Sequence, residues 1–251
     1  MKYAVVTGTS KGLGESIAKL LMQESFHVIG IARNGNDQLE DANLPGEYTH
    51  VIGDLSNSEE TIEVFHGIIE KLRKKQDIES LHLVQNAALI HPIEQAGKQE
   101  ETLIKKHMQV NLVSPMIITN LWLDAWRDYS IPLIMVNVTS GAADRNVYGW
   151  TAYGASKAGL NRYTRTVAME QEELNTGNKV FLFDPSIMDT DMQGEIRSSD
   201  SSQFIQVDQF KDYKTSNKLR STDVVAKVLV DKLTNEDSIQ NGEYYSVKDI
   251  L

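Results

Sequence analysis

The chain has 251 residues, 41% of them hydrophobic and 24% charged, with a formal net charge of −10. This is the composition of an ordinary globular protein, and its acidic balance opposes the counterion release that draws proteins onto nucleic acids, so DNA and RNA are not expected partners. The sequence offers no run of ~20 apolar residues to span a membrane, no leader-like start and no cysteine for a disulfide or thiolate metal site. A cytoplasmic protein with no membrane partner and no metal is expected.

The first predicted element is a β run, Tyr3 to Thr7, which leads through Thr7-Gly8-Thr9-Ser10-Lys11-Gly12-Leu13-Gly14 into a helical pattern from Gly12 to Glu24. Glycines at 8, 12 and 14 stand where a tight turn would bring backbone N–H groups, at the positive end of a helix, up to a pyrophosphate. Ser10, Lys11 and Leu13 complete that turn. The second strand is predicted over His27 to Ala32. An NAD site places an acid near the end of this strand to accept from the ribose hydroxyls, whereas here Arg33-Asn34 follows. Arg33 offers a planar, permanently charged fork to a 2′-phosphate and Lys11 a second cation, so NADP(H) is the expected cofactor.

The third strand, Tyr48 to Ile52, is followed by Asp54-Leu55 and a helix over Ser58 to Lys75. The fourth, Leu81 to Gln85, is followed by Asn86-Ala87-Ala88 and a long helix over Glu101 to Asp128. Within that helix Pro115 lies four residues after Asn111 and cannot donate to its carbonyl. A local kink is predicted there, with the carbonyl open to a water that could connect Lys157 to solvent. The fifth strand, Leu133 to Thr139, ends in Thr139-Ser140-Gly141, placing the Ser140 hydroxyl where it could hold a substrate oxygen. Tyr153 and Lys157 begin a helix over Ala152 to Asn175 and share one face of it. An ammonium beside a phenol favours the phenolate, bringing proton exchange below the ordinary tyrosine value of about 10.

A sixth strand, Lys179 to Phe183, precedes Pro185-Ser186 and an irregular stretch from 187 to 220. A helix over Thr222 to Leu233 and a seventh strand, Tyr244 to Val247, complete the chain. Seven β runs alternating with helices predict the α/β class: a single-domain, Rossmann-type, doubly wound parallel sheet of seven strands over 1–251. Loops beyond the carboxyl edges of such strands carry ligands, so 187–220 reads as a substrate lid or as a surface excursion.

The glycine loop, together with Asn111, Ser140, Tyr153 and Lys157, closely resembles the cofactor loop and catalytic tetrad of short-chain dehydrogenases/reductases, and the likeness covers nearly the whole chain. It implies adenine contacts at Asp54 and Leu55, and a cofactor contact at Asn86, Ala87 and Ala88. This last group departs from the family's NNAG by Gln85 and Ala88. Around the nicotinamide it implies Tyr153, Lys157, Pro185, Ile187, Thr190 and Met192, with Ser186 where the family has glycine.

Gly149-Trp150, Asp189 to Gln193 and Lys218-Leu219 resemble sepiapterin reductases and bacterial benzil reductases. That resemblance implies reduction of a small-molecule carbonyl, the ketone of an aromatic 1,2-diketone or of a pterin side chain, with Ser140 and Tyr153 at the oxygen. Tyr148, Trp150, Ile187 and Met192 would form a flat apolar wall, or serve as core. Asp249 would accept paired hydrogen bonds from a pterin, or be a solvated terminal acid. A 3-oxoacyl thioester reductase of the same fold and a non-catalytic NADP(H)-binding redox sensor are the alternatives. The helices over Glu101 to Asp128 and Ala152 to Asn175 resemble those through which family members pair, which implies a homo-oligomer, with a dimer favoured.

Overall fold

The computed structural model describes residues 1–251. Seven parallel strands form one sheet in the order β3-β2-β1-β4-β5-β6-β7. They are β1 (Lys2–Thr7), β2 (His27–Ala32), β3 (Tyr48–Ile52), β4 (Ser80–Gln85), β5 (Leu133–Val138), β6 (Lys179–Asp184) and β7 (Tyr244–Ser246). The chain starts in the middle, steps outward to β3, returns beside β1 and then runs the other way to β7. The reversal lies between β1 and β4, and in such sheets the crevice at the reversal takes the ligand.

Strand side chains alternate between faces, and helices bury both. Ala4 and Val6 pack with Leu13, Ile17 and Leu21 of α1 (Gly12–Gln23), near Leu229 of a helix over Thr222–Thr234. Tyr3 and Val5 pack on the other face with Phe65 and Trp122. Each large apolar side chain removed from water contributes about 1.5–3 kcal/mol.

The remaining helices are α2 (Asp37–Glu40), α3 (Ser58–Arg73), α4 (Glu101–Met108), α5 (Ser114–Trp126), α6 (Thr151–Glu173), α7 (Asp191–Arg197), α8 (Val207–Thr215), α9 (Thr222–Thr234) and α10 (Val247–Ile250). Two expectations change. The long helix predicted over Glu101 to Asp128 is divided, at the kink expected around Asn111, by a π turn, Gln109–Val113, in which the Ser114 N–H reaches the Gln109 carbonyl. Pro115 follows in the first turn of α5, which continues the π turn without a break, so its missing N–H leaves the Asn111 carbonyl without that partner. The stretch 187–220 contains two helices, α7 and α8. Their polar composition hid them from a periodicity reading, because α8 buries only Val207.

Candidate active site

The carboxyl edges of the strands open onto a cleft of about 470 Å³. At its centre Gly8 adopts φ +77°, and a Cβ there would stand 3.0 Å from the Ala87 Cα; a Cβ at Gly14 would overlap the Gly8 carbonyl oxygen. Glycine is therefore required by close backbone approach. Asn86 staples this turn to β4. Its Nδ2 donates to the Thr7 carbonyl at 3.0 Å and the Gly8 carbonyl at 3.3 Å. In return Thr7 Oγ1 accepts the N–H groups of Asn86 and Ala87, both at 3.0 Å. Asn36 Nδ2 supports the turn from outside, donating to the Ser10 carbonyl at 3.2 Å while its Oδ1 caps α2.

Gly8, Ser10, Lys11, Gly12 and Leu13 line the cleft from the β1 side, and Arg33, Asp54 and Leu55 line it beyond β2 and β3. Asn86, Ala87 and Ala88 enter from β4, while Tyr153, Lys157, Pro185, Thr190 and Met192 come from the later elements. Of the expected cofactor and catalytic residues, Gly14, Asn34, Asn111, Ser140 and Ile187 are not in the lining. Gly14 packs behind Gly8, Asn34 is exposed beyond β2 with Asn36 gripping the turn instead, and Met188 faces the cleft where Ile187 was expected. Sequence reasoning assigned no site role to Lys106, Val110 and Thr222, which lie in no motif, nor to Thr139 and Asp191, which lie within the stretches singled out around Ser140 and Thr190.

Charge is distributed unevenly around the opening. Lys11 Nζ is held by Asp191 Oδ2 at 2.6 Å, an exposed pair that ties α7 to the glycine turn. Arg33 is exposed and has no acid within ion-pair distance. Partial burial pushes the Asp54 carboxyl up, but hydrogen bonds from Ser56 and the charges of Arg33 and Lys106 bring it below the usual carboxylate range. A turn that only glycine can form, beside a cationic far end, fits a dinucleotide.

Tyr153 and Lys157 lie at the start of α6 and are 7% and 3% exposed. Lys157 Nζ donates to the Val138 carbonyl at 2.8 Å and stands 5.9 Å from the centre of the Tyr153 ring. The expected lowering of the phenol is reversed. Burial pushes Tyr153 up to about 12, the Ser140 hydroxyl offsets part of the rise, and the charge of Asp184 adds to it. Burial also brings Lys157 down to about 8, with Asp184 acting against the fall. Sequence spacing placed an ammonium near a phenol, but it could not show that both groups would be desolvated.

Ser140 has an extended backbone, and its Oγ accepts the Ala142 N–H at 3.2 Å at the head of the Gly141–Ala143 turn. Asn111 is 1% exposed. Its side chain clamps Leu89, accepting the N–H and donating to the carbonyl, both at 2.8 Å. Beside it His107, fully buried, meets the His91 carbonyl through Nδ1 at 2.7 Å and Ser156 Oγ through Nε2 at 3.1 Å. The Nδ1 contact requires Nδ1–H, so Nε2 accepts, and burial together with the Lys157 charge holds the ring below the usual histidine range. His107 gave no sequence signal, since its partners lie in three separate segments.

The expected aromatic wall is placed differently. Trp150 is buried behind Tyr153, edge-on to its ring at 5.3 Å and stacked on Phe204 at 5.0 Å and 16°. Gly149, at φ +84°, turns the chain inward just before it. Tyr148 is exposed outside the cleft, with its hydroxyl 3.0 Å from Gln95 Oε1. Met192 faces the cleft and packs on the Trp150 cluster. Asp249 is exposed on α10 and does not line the cleft. Ser186 occupies the left-handed region at φ +60°, as glycine would, and its N–H donates to Asp184 Oδ1 at 2.9 Å. That bond offsets part of a conformation costing about 1–2 kcal/mol.

Comparison with known proteins agrees with this geometry. The chain is 33% identical over 251 residues to a benzil reductase, (S)-benzoin forming, of Bacillus subtilis (strain 168), covering all of both chains. It is 34% identical over 242 residues to a Bacillus cereus enzyme of the same description, covering 94% of this chain and 96% of the relative. The crystal structure of the KRED1-Pglu enzyme superposes with a TM-score of 0.81 at 27% identity, over 98% of this chain and all of the other. The short chain dehydrogenase family profile matches residues 2–201, and the chain belongs to that family of oxidoreductases.

Proposed function

We propose that the protein is an NADPH-dependent carbonyl reductase whose substrate is an aromatic 1,2-diketone. The observation that carries this reading is the buried, protonated Tyr153 with Lys157 beside it, at the end of a cleft whose other end presents the unpaired Arg33. Benzil reductases similar over the full length support the diketone class.

The glycine turn and the start of α1 would hold the pyrophosphate, and Arg33 the 2′-phosphate. The bound nicotinamide would supply hydride to the carbonyl carbon. Ser140 positions the carbonyl oxygen, and Tyr153 gives it the phenolic proton, which an alkoxide requires and a phenol held near 12 still carries at neutral pH. Lys157 keeps a positive charge near the phenol as the proton leaves. Asn111, on the π turn, holds the β4 loop and offers a route by which a water replaces that proton. Met188 and Met192 give an adaptable apolar surface for an aromatic group. Residues 187–220, joined to the glycine turn through Asp191, act as the lid.

Nicotinamide oxidation should be followed with benzil, sepiapterin and an acetoacetyl thioester, using NADPH and NADH. Benzil with NADPH should give the highest kcat/KM. Preference for the thioester would replace the diketone reading, and nucleotide binding with no turnover on any substrate would favour the redox sensor.

A further inference from the structure

One buried acid beside the active site has no part in the chemistry so far. Asp184 ends β6. Phe181 and Phe183 belong to the core on the α1 and α9 side, so strand alternation directs Leu182 and Asp184 to the opposite side, toward the Gly141–Ala143 turn and α6. The Thr139 N–H bonds to the Phe183 carbonyl at 2.8 Å and brings the end of β5 to the same level. Asp184 is 8% exposed there.

Both of its oxygens are held. Oδ1 accepts the Ser186 N–H at 2.9 Å, and Oδ2 accepts the Tyr244 hydroxyl at 2.9 Å. A Cβ on Gly141 would stand 3.5 Å from Asp184 Oδ2 and 2.9 Å from Arg145 Nη2, so the backbone just after Ser140 passes close to this acid. No cation lies within ion-pair distance of Asp184. A carboxylate fixed in a poorly solvated place without a contacting counter-ion acts on charges farther away.

The groups facing Asp184 are few. From β7 comes Tyr244, whose hydroxyl is pushed far up by burial and by the Asp184 charge and so remains a donor. After the Gly141–Ala143 turn come Asp144 and Arg145, both exposed and opposite in sign, with Arg145 Nε occupied by the Gly141 carbonyl at 3.0 Å. From α6 come Tyr153 and Lys157, the latter with its Nζ bonded at 2.8 Å to the carbonyl of Val138, the β5 residue paired with Phe183 next to Asp184.

We propose that Asp184 is a positioning residue of the active site, a fixed negative charge behind the Ser140–Gly141 turn that keeps Lys157 in its ammonium form and so sets the alkaline limit of carbonyl reduction. The link to turnover rests on Tyr153 and Lys157 being the proton-handling pair; the effect on Lys157 itself does not. Asp184 opposes the lowering that burial imposes on Lys157 and adds to the rise it imposes on Tyr153. Neutralising Asp184 therefore lets both groups fall together. Reduction needs the ammonium and the phenol, so its alkaline limb moves to lower pH. Alcohol oxidation needs the phenolate, so its acid limb moves to lower pH as well. A loss of packing or of substrate pose lowers rates and leaves both limbs in place.

The test uses Asp184→Asn, which can still accept from Ser186 and bond to Tyr244, Asp184→Ser as a smaller neutral variant, and Asp184→Glu as the rescue. Melting temperatures identify folded variants. Rate profiles in both directions are read against pH, and the Lys157 Nζ titration is followed by nitrogen NMR in nucleotide-free, lysine-labelled protein. Both neutral variants should move both limbs and the Nζ titration down by about one pH unit, and Asp184→Glu should restore the parental values. Folded neutral variants with limbs and Nζ titration at the parental positions, whatever their loss of rate, overturn the proposal. If the parent reduces none of the carbonyl compounds, the functional reading fails and the Nζ titration alone decides the role of Asp184: a shift sustains its hold on Lys157, and no shift removes it.

Discussion

Replacing Arg33 by Ala isolates the nucleotide choice. Arg33 lies at the end of β2, lines the cleft and has no acid within ion-pair distance, so its guanidinium can meet a 2′-phosphate without first leaving a partner. A charged hydrogen bond is worth about 1.5–3 kcal/mol, and at 1.36 kcal/mol per factor of ten its loss weakens NADPH binding roughly 10- to 150-fold. NADH has no 2′-phosphate and should bind Arg33→Ala nearly as it binds the parent. Lys11→Ala should cost NADPH less, because Lys11 must give up Asp191 at 2.6 Å before it can serve the phosphate. Dissociation constants for both nucleotides, from fluorescence titration of each variant at low and physiological salt, measure these differences. Added salt should narrow the gap between parent and Arg33→Ala, because the interaction is between charges near the surface. If Arg33→Ala weakens NADPH and NADH by the same factor, or changes neither, then Arg33 does not read the 2′-phosphate and the NADPH assignment fails.

Tyr153→Phe should remove nearly all turnover while leaving the nucleotide dissociation constant close to the parental value, since the hydroxyl serves the proton and the ring keeps its packing on Trp150; substantial residual kcat would exclude Tyr153 as the donor. Reduction should decline as pH rises through about 8, because buried Lys157 carries its charge only below that value, while Tyr153, near 12, stays protonated throughout; a kcat profile flat to pH 10 would contradict this. Gly14→Ala should melt earlier and bind nucleotide poorly, because the new Cβ overlaps the Gly8 carbonyl and overpacking costs about 1–3 kcal/mol; an unchanged melting temperature would show that the turn has room to shift. A homodimer is expected in light scattering, since Val113, Met116 and Met169 present exposed apolar side chains along the α5 and α6 side; a monomeric mass at micromolar concentration would count against it.

What the sequence determined by itself was local and periodic. Short β runs between helical patterns gave the parallel sheet, because an element buried on both faces must be apolar throughout and the helix that covers it must be amphipathic. The glycine turn was legible because only glycine permits the approach seen at Gly8 and Gly14, and the absence of an acid after β2 was legible as a gap at a position of known purpose. Tyr153 and Lys157 were legible because their spacing is helical. The tertiary structure decided everything that depends on what lies across the fold. It turned Trp150 away from the expected substrate wall and into a stack behind Tyr153, paired Lys11 with Asp191 from 180 residues later, and assembled His107 and Asn111 with Leu89 and Ser156. It also reversed the direction in which Tyr153 titrates. A proton's affinity depends on the solvent excluded and the charges within a few ångströms, and here both come from segments distant in the chain, α6 and the end of β6, which meet only when the sheet has formed.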